Sequence, residues 1–263
     1  MAEASWKVVM DRGGVTISTD LFQLTTNGSE PTALDSVVAE LQSVTRGTYG
    51  QYCGLSRAAE MIGERWGMLI VRDLLVSPKT VGELRAGLPR ITAKLLETRL
   101  KELLHSGIVR RQDDTPADAE PVYELTAYGR AAEDVLLALS RWGAQALTAP
   151  KPEDIVTEDS VMVALRSTFQ AEAARELVVS FELHVGEIVV SAVVDHGELA
   201  VHPGPLSGVD AVIDTGPLLQ GMLTGEVSVA EALDSGKVTG DPELLSTFAE
   251  LFQLPKLPNP VPA

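Results

Sequence analysis

The sequence predicts an α+β fold with two domains, and three observations support that prediction. The chain has 263 residues, enough for two domains that each bury a core of their own. Apolar residues recur at helical spacing, with one hairpin, from about residue 53 to 148, whereas strict alternation begins after residue 157. The turn-forming stretch TAPKPED separates the two patterns, as expected of a linker between domains.

The changes of pattern also set the predicted domain boundaries. We expect an N-terminal extension at 1–48, a helical domain at 49–148, a linker at 149–156, a second domain at 157–256 and a proline-rich tail at 257–263. Within the extension, WKVVMD and VTISTDLFQLTT alternate weakly and predict a hairpin, and ALDSVVAELQSV predicts a short helix. A poorly ordered extension fits the same weak pattern equally well.

Composition excludes several classes of protein. With 45% hydrophobic and 22% charged residues the chain is expected to be globular, and no apolar run approaches the ~20 residues needed to span a bilayer. The N-terminus lacks the continuous apolar segment of a secretory signal, so we expect a cytoplasmic protein without a membrane partner. The single cysteine, Cys53, excludes an internal disulfide, and the four scattered histidines give no metal-site spacing.

The first domain is predicted to contain short helices, a hairpin and one longer helix. Its first three helical segments are LSRAAEMIG, WGMLIVRDLL and TVGELRAGL. The fourth, ITAKLLETRLKELLHSG, has Thr92 as its predicted N-cap and Gly107 as its stop. The hairpin strands that follow are IVRRQDD and PVYELT. A single longer helix, TAYGRAAEDVLLALSRWGAQAL, ends the domain.

Positive charge is concentrated in this domain although the chain as a whole is acidic. The formal net charge is −16, yet residues 53–112 contain 11 basic and 6 acidic residues. Residues 151–263 contain 5 basic and 18 acidic residues. Because salt screens exposed charges beyond about 8 Å, a polyanion responds mainly to the face that it touches. The distribution predicts one face that contacts nucleic acid and an acidic second domain that stays away from it.

The fourth helical segment separates into two faces on a helical wheel. The leucines of one face are Leu96, Leu100, Leu103 and Leu104, and the opposite stripe consists of Lys94, Thr98, Lys101 and His105. A helix packed by its leucines presents hydrogen-bond donors that suit the major groove of B-DNA. An ordinary solvated helix face is the other interpretation. The predicted DNA-contacting residues are Arg90, Thr92, Lys94, Thr98, Arg99, Lys101, Arg110 and Arg111.

Three helices, a charged fourth helix, a hairpin and a further helix follow the order of a winged helix-turn-helix. The stretch from Cys53 to Arg111 resembles the HxlR-type branch of MarR-related bacterial regulators, through GERW, LIVRDLL, ELRAGLPRIT and LETRLKEL. YELTAYGR follows at the expected distance. The resemblance covers about residues 53–145. It implies a homodimer that binds a double-stranded DNA operator, with the terminal helices packed together and the two basic helices in successive major grooves.

Four further residues of this domain have more than one interpretation. Val135, Leu139 and Trp142 share one stripe of the longer helix and belong either to the core or to the subunit interface, with core favoured for Leu139. Trp66 is predicted to be a core anchor rather than a functional residue.

Cys53 stands just before the first helix, where the family often has Cys-Pro and where some members sense oxidants or electrophiles. Here the pair is Cys53-Gly54, so the cysteine of the pattern is present and the proline is not. A helix N-terminus lowers a thiol pKa and raises its reactivity. A lone cysteine that acts only as a small apolar residue is the alternative.

The second domain is predicted to hold strands followed by helices. RELVVSFELHV alternates strictly, and GEIVVSAVVDHGELAVHPG adds two strands joined at His196-Gly197, which together predict an antiparallel meander. Among the helices after it, Ser228 and Asp241 are expected N-caps and Gly236 a stop. The strands together with the run from Ala211 to Phe252 resemble the sterol carrier protein family over about residues 160–254, most specifically at Gly240-Asp241 and at Phe248, Leu251 and Phe252. The resemblance implies an α/β domain whose antiparallel sheet and covering helices enclose an apolar tunnel.

That resemblance implies a pocket for a lipid-like guest, such as a fatty acyl chain or another apolar metabolite. The predicted lining residues are Val179, Phe181, Leu183, Leu218, Leu219, Met222, Leu223, Phe248 and Phe252. A filled core made of the same side chains is the alternative. No phosphate-binding loop, nucleophile elbow or metal spacing occurs, so no catalytic residue, resident cofactor or metal site is predicted.

The favoured interpretation is a homodimeric DNA-binding transcription regulator whose second domain senses a hydrophobic effector. A lipid carrier or scaffold whose helical domain binds protein is the first alternative. A thiol-based redox sensor that acts through Cys53 is the second.

Overall fold

The computed structural model describes residues 7–11, 14–18, 48–112, 116, 119–147, 151, 153–215, 218–234 and 241–254. The chain divides into two compact units, Met1–Thr45 and Arg46–Ala263. In the first unit, strands β1 (Lys7–Asp11) and β2 (Gly14–Ser18) pair antiparallel, which confirms the predicted hairpin. The helix predicted in ALDSVVAELQSV lies outside the described residues.

Helices and strands alternate in blocks along Arg46–Ala263. The described helices are α1 (Gly54–Ile62), α2 (Gly67–Val76), α3 (Val81–Gly87), α4 (Ala93–His105), α5 (Ala127–Arg130), α6 (Glu133–Ala144), α7 (Glu158–Thr168), α8 (Leu219–Thr224), α9 (Val229–Asp234) and α10 (Pro242–Leu251). The described strands are β3 (Lys79–Thr80), β4 (Val109–Arg111), β5 (Val122–Leu125), β6 (Val178–Val185), β7 (Ile188–Asp195), β8 (Glu198–Pro203) and β9 (Ala211–Asp214). None of these helices is long and apolar enough to cross a membrane.

The first part of this unit, through α6, has the element order of a winged helix-turn-helix. Helices α1–α4 are followed by strands β4 and β5, which form the predicted hairpin, and the short strand β3 between α2 and α3 completes a three-stranded sheet of order β3-β5-β4. Its core is made of aliphatic side chains from α2, α3 and α4, and Ile70, Leu74, Leu84 and Leu96 are completely buried. The α+β winged-helix architecture predicted for this region is therefore confirmed.

The prediction of one longer helix after the hairpin is wrong, because the segment forms two helices, α5 and α6. Thr126 caps α5 by accepting a hydrogen bond from Gly129 N–H. The N–H of Ala132 then donates to the carbonyl of Gly129, three residues back, so the chain tightens into a 3₁₀-type turn before α6 begins. Gly129 also packs against the Ile108 carbonyl oxygen, which a Cβ would approach to 2.1 Å.

The second sheet has the order β8-β7-β6-β9. The predicted meander of β6, β7 and β8 is confirmed, with its tight turn at His196 (φ 47) and Gly197 (φ 87). The prediction that the whole sheet is antiparallel is wrong, since β9 pairs parallel to β6. The Asp210 carboxylate places β9 there, because it accepts hydrogen bonds from Ser180 N (2.8 Å) and Oγ (2.7 Å) across the two strands.

A second hydrophobic core lies between this sheet and the C-terminal helices. Asp241 caps α10, with proline at the first helical position, and the Ser228 hydroxyl accepts from Glu231 N–H, so both predicted N-caps are confirmed. The predicted stop at Gly236 is outside the described part of the chain. The rings of Phe181 and Phe248, both buried, meet edge to face with centroids 5.5 Å apart.

Helix α7 joins the two cores. It packs against α2 and α6 on one side and against strands β7 and β8 on the other. Val161, Met162 and Leu165 belong to the second core. The Arg166 guanidinium donates to the Leu75 carbonyl at 3.3 Å and pairs with Glu133 of α6. A displacement of α7 would therefore change contacts in both hydrophobic cores.

Candidate nucleic-acid interface

Helix α4 buries one face and exposes the other. Leu96, Leu100 and Leu103 are buried in the first core, whereas Lys94 and Lys101 are exposed. Thr98 and His105 are exposed as well, so the predicted outward stripe of four polar residues is confirmed as a surface. The period of 3.6 residues per turn produces this separation directly from the spacing of the leucines.

The ends of α4 follow from two local signals. The Thr92 hydroxyl accepts from Leu95 N–H at 3.3 Å, so its oxygen serves as the N-cap. Gly107, with φ +70, lies just beyond the helix in the left-handed region that glycine adopts easily. Thr98 Oγ1 donates to the Lys94 carbonyl at 2.9 Å, an arrangement that leaves its lone pairs available on the exposed face.

Two of the predicted DNA-contacting arginines, Arg90 and Arg99, have their guanidinium groups bonded to protein oxygens. Arg99 is half-buried, with its guanidinium 2.6 Å from the Glu102 carboxylate and 3.2 Å from that of Glu64. It also donates to the Arg65 carbonyl, so it fixes α4 against the α1–α2 junction. Arg90, which precedes the α4 cap, donates to the Glu153 carbonyl in the segment leading to α7.

The β4–β5 hairpin supplies the other two arginines. Arg110 lies 2.5 Å from the carboxylate of Glu124, its register partner on β5, and is thereby partly neutralised. Arg111 is exposed, and its guanidinium lies 5.7 Å from the centroid of the Tyr123 ring. The guanidinium therefore makes a cation–π contact with the ring.

Lys101 has a weak partner on its own helix. Its ammonium lies 3.1 Å from the Glu97 carboxylate, and both side chains are more than 60% exposed. Such an exposed pair contributes about 0.3–0.5 kcal/mol and is readily exchanged for a phosphate. The outward surface of Lys94, Thr98, Lys101 and Arg111 is thus the part of the predicted set that remains presented to a ligand. We call these four residues the basic surface.

The apolar stripe of α6 faces outward. Val135, Leu139 and Trp142 are 55%, 39% and 70% exposed. The prediction that Leu139 belongs to the core is wrong, because α6 packs on α7 through another face, where Ser140 and Arg141 bond to Ser167. Trp66, in contrast, is half-buried against the first core, as predicted for an anchor, with φ +80 at the start of α2.

Cys53 is exposed at the N-terminus of α1. Hydrogen bonds from the backbone N–H groups of Ser56 and Leu55 lower the pKa of its thiol, because they stabilise the thiolate. The lowered pKa agrees with the effect expected of a helix N-terminus.

The predicted apolar pocket residues divide into two groups. Phe181, Leu183, Phe248 and Phe252 pack against one another as a filled core, as do Val179 and Met222, and Leu218 lies at its edge. Leu219 and Leu223 of the predicted set line a cavity, which has a volume of about 680 Å³ and lies between α6, α7 and α8.

Sequence reasoning missed the rest of this cavity wall. Gln220 is one of the lining residues that were not predicted, and the signal for it in the sequence is a lone amide inside the apolar run LLQGML. Ala164 and Leu139 also line it, but neither could be assigned to a pocket without knowing that α6 and α7 pack side by side. Among the described residues no cluster of His, Cys, Asp and Glu has the arrangement of a metal site.

Comparison with known proteins identifies relatives of the first domain. Residues 61–151 match the family model of the HxlR-like helix-turn-helix. The HTH-type transcriptional regulator YodB of Bacillus subtilis (strain 168) is 33% identical over 105 residues, which are 40% of this chain and 91% of YodB. The HTH-type transcriptional regulator YtcD of the same organism is 34% identical over 104 residues, 39% of this chain and 82% of YtcD.

Solved structures were found as well. A crystal structure of quinone-bound YodB from B. subtilis is 34% identical and covers 35% of this chain and 96% of that one, with a TM-score of 0.31. The relatives are named as transcriptional regulators, a role without catalysis, in agreement with the absence of a predicted active site.

Proposed function

This chain belongs to the HxlR-like helix-turn-helix family of bacterial transcriptional regulators, and from that premise we propose that it binds a double-stranded operator as a homodimer. The observation that supports this proposal most is the two-faced helix α4, whose leucines are buried while Lys94, Thr98 and Lys101 point outward. A helix of this kind fits the major groove, where lysine donates to guanine and threonine reaches either kind of base edge.

Different residues of the basic surface contact the bases and the phosphates. Lys94, Thr98 and Lys101 lie on the helix that enters the groove, whereas Arg111 lies on the hairpin and contacts the sugar–phosphate backbone. Arg90 and Arg99 act indirectly, since their guanidinium groups are engaged by protein oxygens and set the position of α4. The acidic second domain remains off the duplex and limits non-specific binding, which is mostly phosphate electrostatics.

The exposed stripe of α6 supports the dimer. A row of Val135, Leu139 and Trp142 on the surface resembles the apolar centre of a subunit interface, where tryptophan is enriched. A two-fold axis beside α6 brings two copies of α4 onto one duplex. Their half-sites then lie about 34–36 Å apart, one helical turn of DNA.

We further propose that the second domain senses a hydrophobic effector and that the protein works in the cytoplasm without a resident cofactor. The resemblance to sterol carrier proteins and the apolar cavity beside α7 support the first part. An effector alters operator affinity only if it binds the DNA-competent and incompetent states with different affinities. Contact of α7 with both cores supplies a route for that difference.

Operator binding tests the proposal against the lipid-carrier or scaffold alternative. The protein is titrated by fluorescence anisotropy against the DNA upstream of its own gene at several salt concentrations. Lys94→Ala is expected to weaken binding and to reduce the slope of log K against log salt by about 1, because its ammonium, whatever base it donates to, no longer neutralises a nearby phosphate. Lys151→Ala, an exposed lysine outside the basic surface, is the matched control. An unchanged slope for Lys94→Ala favours the scaffold.

Thiol sensing through Cys53 is a second candidate function. The observation in its favour is an exposed thiol whose pKa is lowered by backbone N–H groups. Its thiolate adds to an electrophile such as 1,4-benzoquinone, forming one Sγ–C bond and leaving the ring as a hydroquinone. Operator binding of the wild type is expected to change after this treatment, whereas Cys53→Ser is expected to bind DNA and ignore the quinone. A quinone response that survives Cys53→Ser contradicts the candidate.

A further inference from the structure

An exposed carboxylate lies on the helix that the proposed function places in the major groove. Glu97 and Lys101, one turn apart on α4, form an ion pair in which Glu97 Oε1 lies 3.1 Å from Lys101 Nζ. Their side chains are 67% and 61% exposed. A carboxylate on this helix lowers the affinity for DNA, because the phosphates repel it, unless it accepts a hydrogen bond from a base.

The hydrophobic core fixes the direction in which the pair points. Leu96 is completely buried and Leu100 is 2% exposed, so α4 cannot rotate about its axis without exposing them. Glu97 and Lys101 each follow one of these leucines in the sequence, and both are exposed. Since the two charged side chains also hold each other, little conformational entropy is lost when both contact the same ligand.

The spacing of the two charged groups matches that of two groups on the edge of a base pair. In a G·C pair the guanine O6 acceptor and the cytosine N4 donor are hydrogen-bonded to each other, about 2.9 Å apart, and both face the major groove. The ammonium nitrogen of Lys101 and the carboxylate oxygen of Glu97 lie 3.1 Å apart. Lysine can therefore donate to O6 while glutamate accepts from N4, and the ion pair between them is kept.

We propose that Glu97 and Lys101 act as one unit that recognises a G·C base pair in each half-site of the operator. The proposal rests on the proposed function, since it requires α4 in the major groove. The other three base pairs fit less well. In C·G and A·T the donor and the acceptor are exchanged relative to the two side chains. T·A has the right order, but a methyl group replaces guanine N7 beside the ammonium, and adenine N7 lies beside the carboxylate and repels it.

Two other arrangements of the pair lead to different base preferences. If Lys101 leaves Glu97 and binds a phosphate, its contact is independent of sequence, and the carboxylate is left facing the duplex without its partner. If the pair stays in solvent, neither residue affects the choice of base. The preference for one base pair at one position therefore distinguishes recognition of G·C from both arrangements.

Selection from a duplex library measures that preference. The full chain is incubated with duplexes that carry a randomised central segment, and the bound duplexes are sequenced after several rounds. Each base pair of the selected site is then varied, and dissociation constants are measured by fluorescence anisotropy. For the wild type we expect one position in each half-site at which G·C binds about tenfold more tightly than any other base pair.

Substitutions within the pair are expected to remove this preference in opposite ways. Glu97→Ala should bind all duplexes more tightly, because a negative charge is removed, and its preference at the G·C position should fall to within about twofold. Lys101→Ala should lose the same preference while it binds more weakly. The double exchange Glu97→Lys with Lys101→Glu should favour C·G there, since it reverses donor and acceptor. Glu172→Ala removes the carboxylate of the exposed Arg175–Glu172 pair in the second domain and, as the matched control, should keep the wild-type preference.

The outcomes test recognition by the pair separately from operator binding. A G·C preference that survives in both Glu97→Ala and Lys101→Ala overturns recognition by the pair and leaves operator binding intact. Loss of the preference in one of these variants alone overturns it too, because the two residues would not act as a unit. A selected site without such a G·C position does the same. A wild type that selects no duplex refutes the proposed function itself, and recognition by the pair with it.

Discussion

Lys79 Nζ lies 3.1 Å from Asp159 Oδ1, and this ion pair ties the start of the β3–α3 segment to the first turn of α7. Both side chains are largely buried. Lys79 precedes Thr80, which caps α3 in a capping box with Glu83. The pair therefore connects the helix-turn-helix to the helix that both cores share.

Removal of Lys79 is expected to leave a buried carboxylate without its partner. Lys79→Met keeps most of the aliphatic stem but takes away the ammonium, and breaking a buried pair in this way costs about 3 kcal/mol. Urea unfolding measures the loss. Lys151→Met, at an exposed lysine, should leave the free energy of unfolding unchanged. Equal stability of the two variants would show that the Lys79–Asp159 contact is not formed in solution.

A pH dependence is expected from Asp73, which is completely buried on α2. Burial raises the pKa of this carboxyl to about 6, although Arg72, whose guanidinium is 2.6 Å from Oδ1, acts in the opposite direction. Asp159 raises the pKa further and Lys79 lowers it. Oδ2 has no hydrogen bond among the described residues, so little else favours the ionised form.

The sign follows from proton binding. Between pH 3.8, where the unfolded carboxyl titrates, and about 6, the folded state holds the extra proton, so stability falls as the pH rises. The wild type should lose about 3 kcal/mol relative to Asp73→Asn across this window. Urea unfolding of both proteins at pH 3.5 to 7 measures the difference, and Asp195→Asn at an exposed turn is the control. A difference in the free energy of unfolding between wild type and Asp73→Asn that does not change with pH would show that the pKa of Asp73 is not raised in the folded state.

Local signals in the sequence predict much of the winged-helix part. The spacing of Leu96, Leu100 and Leu103 fixes which face of α4 is buried, and Thr92 fixes where the helix starts, because both effects act within a few residues. The alternation in β6 predicts its buried face for the same reason. What these signals do not contain is the partner of each element across the fold.

Non-local contacts account for the features that sequence reasoning missed. The parallel pairing of β9 with β6 depends on Asp210 reaching Ser180, thirty residues away. Arg99 is basic and lies on the flank of α4, yet its role is decided by Glu64 on another element. The cavity likewise exists only because α6 packs beside α7, a relationship that no pattern in either helix records.

Arg99 is expected to affect stability rather than the number of DNA contacts. Its guanidinium makes charge-assisted hydrogen bonds to Glu102 and Glu64, worth about 1.5–3 kcal/mol together, so Arg99→Ala should lower the free energy of unfolding by about 2 kcal/mol. The salt slope of operator binding should stay as in the wild type. Lys101→Ala is the matched comparison on the same helix, with a reduced slope and near-normal stability. A reduced slope for Arg99→Ala would place its guanidinium on phosphate.

Substitution of Trp142 tests whether the α6 stripe forms the subunit interface. At 70% exposure it is the largest apolar side chain of the α6 stripe, and a tryptophan at the centre of an interface contributes at least about 2 kcal/mol. Trp142→Gln should therefore raise the dimer dissociation constant about thirtyfold in sedimentation equilibrium. Operator binding should weaken with it, since both half-sites must be occupied by one dimer. Leu206→Gln, which removes an exposed apolar side chain from the second domain, should change neither property. If Trp142→Gln dimerises like the wild type, the α6 stripe is not the subunit interface, and the 34–36 Å spacing expected for two α4 helices has to be derived from another surface.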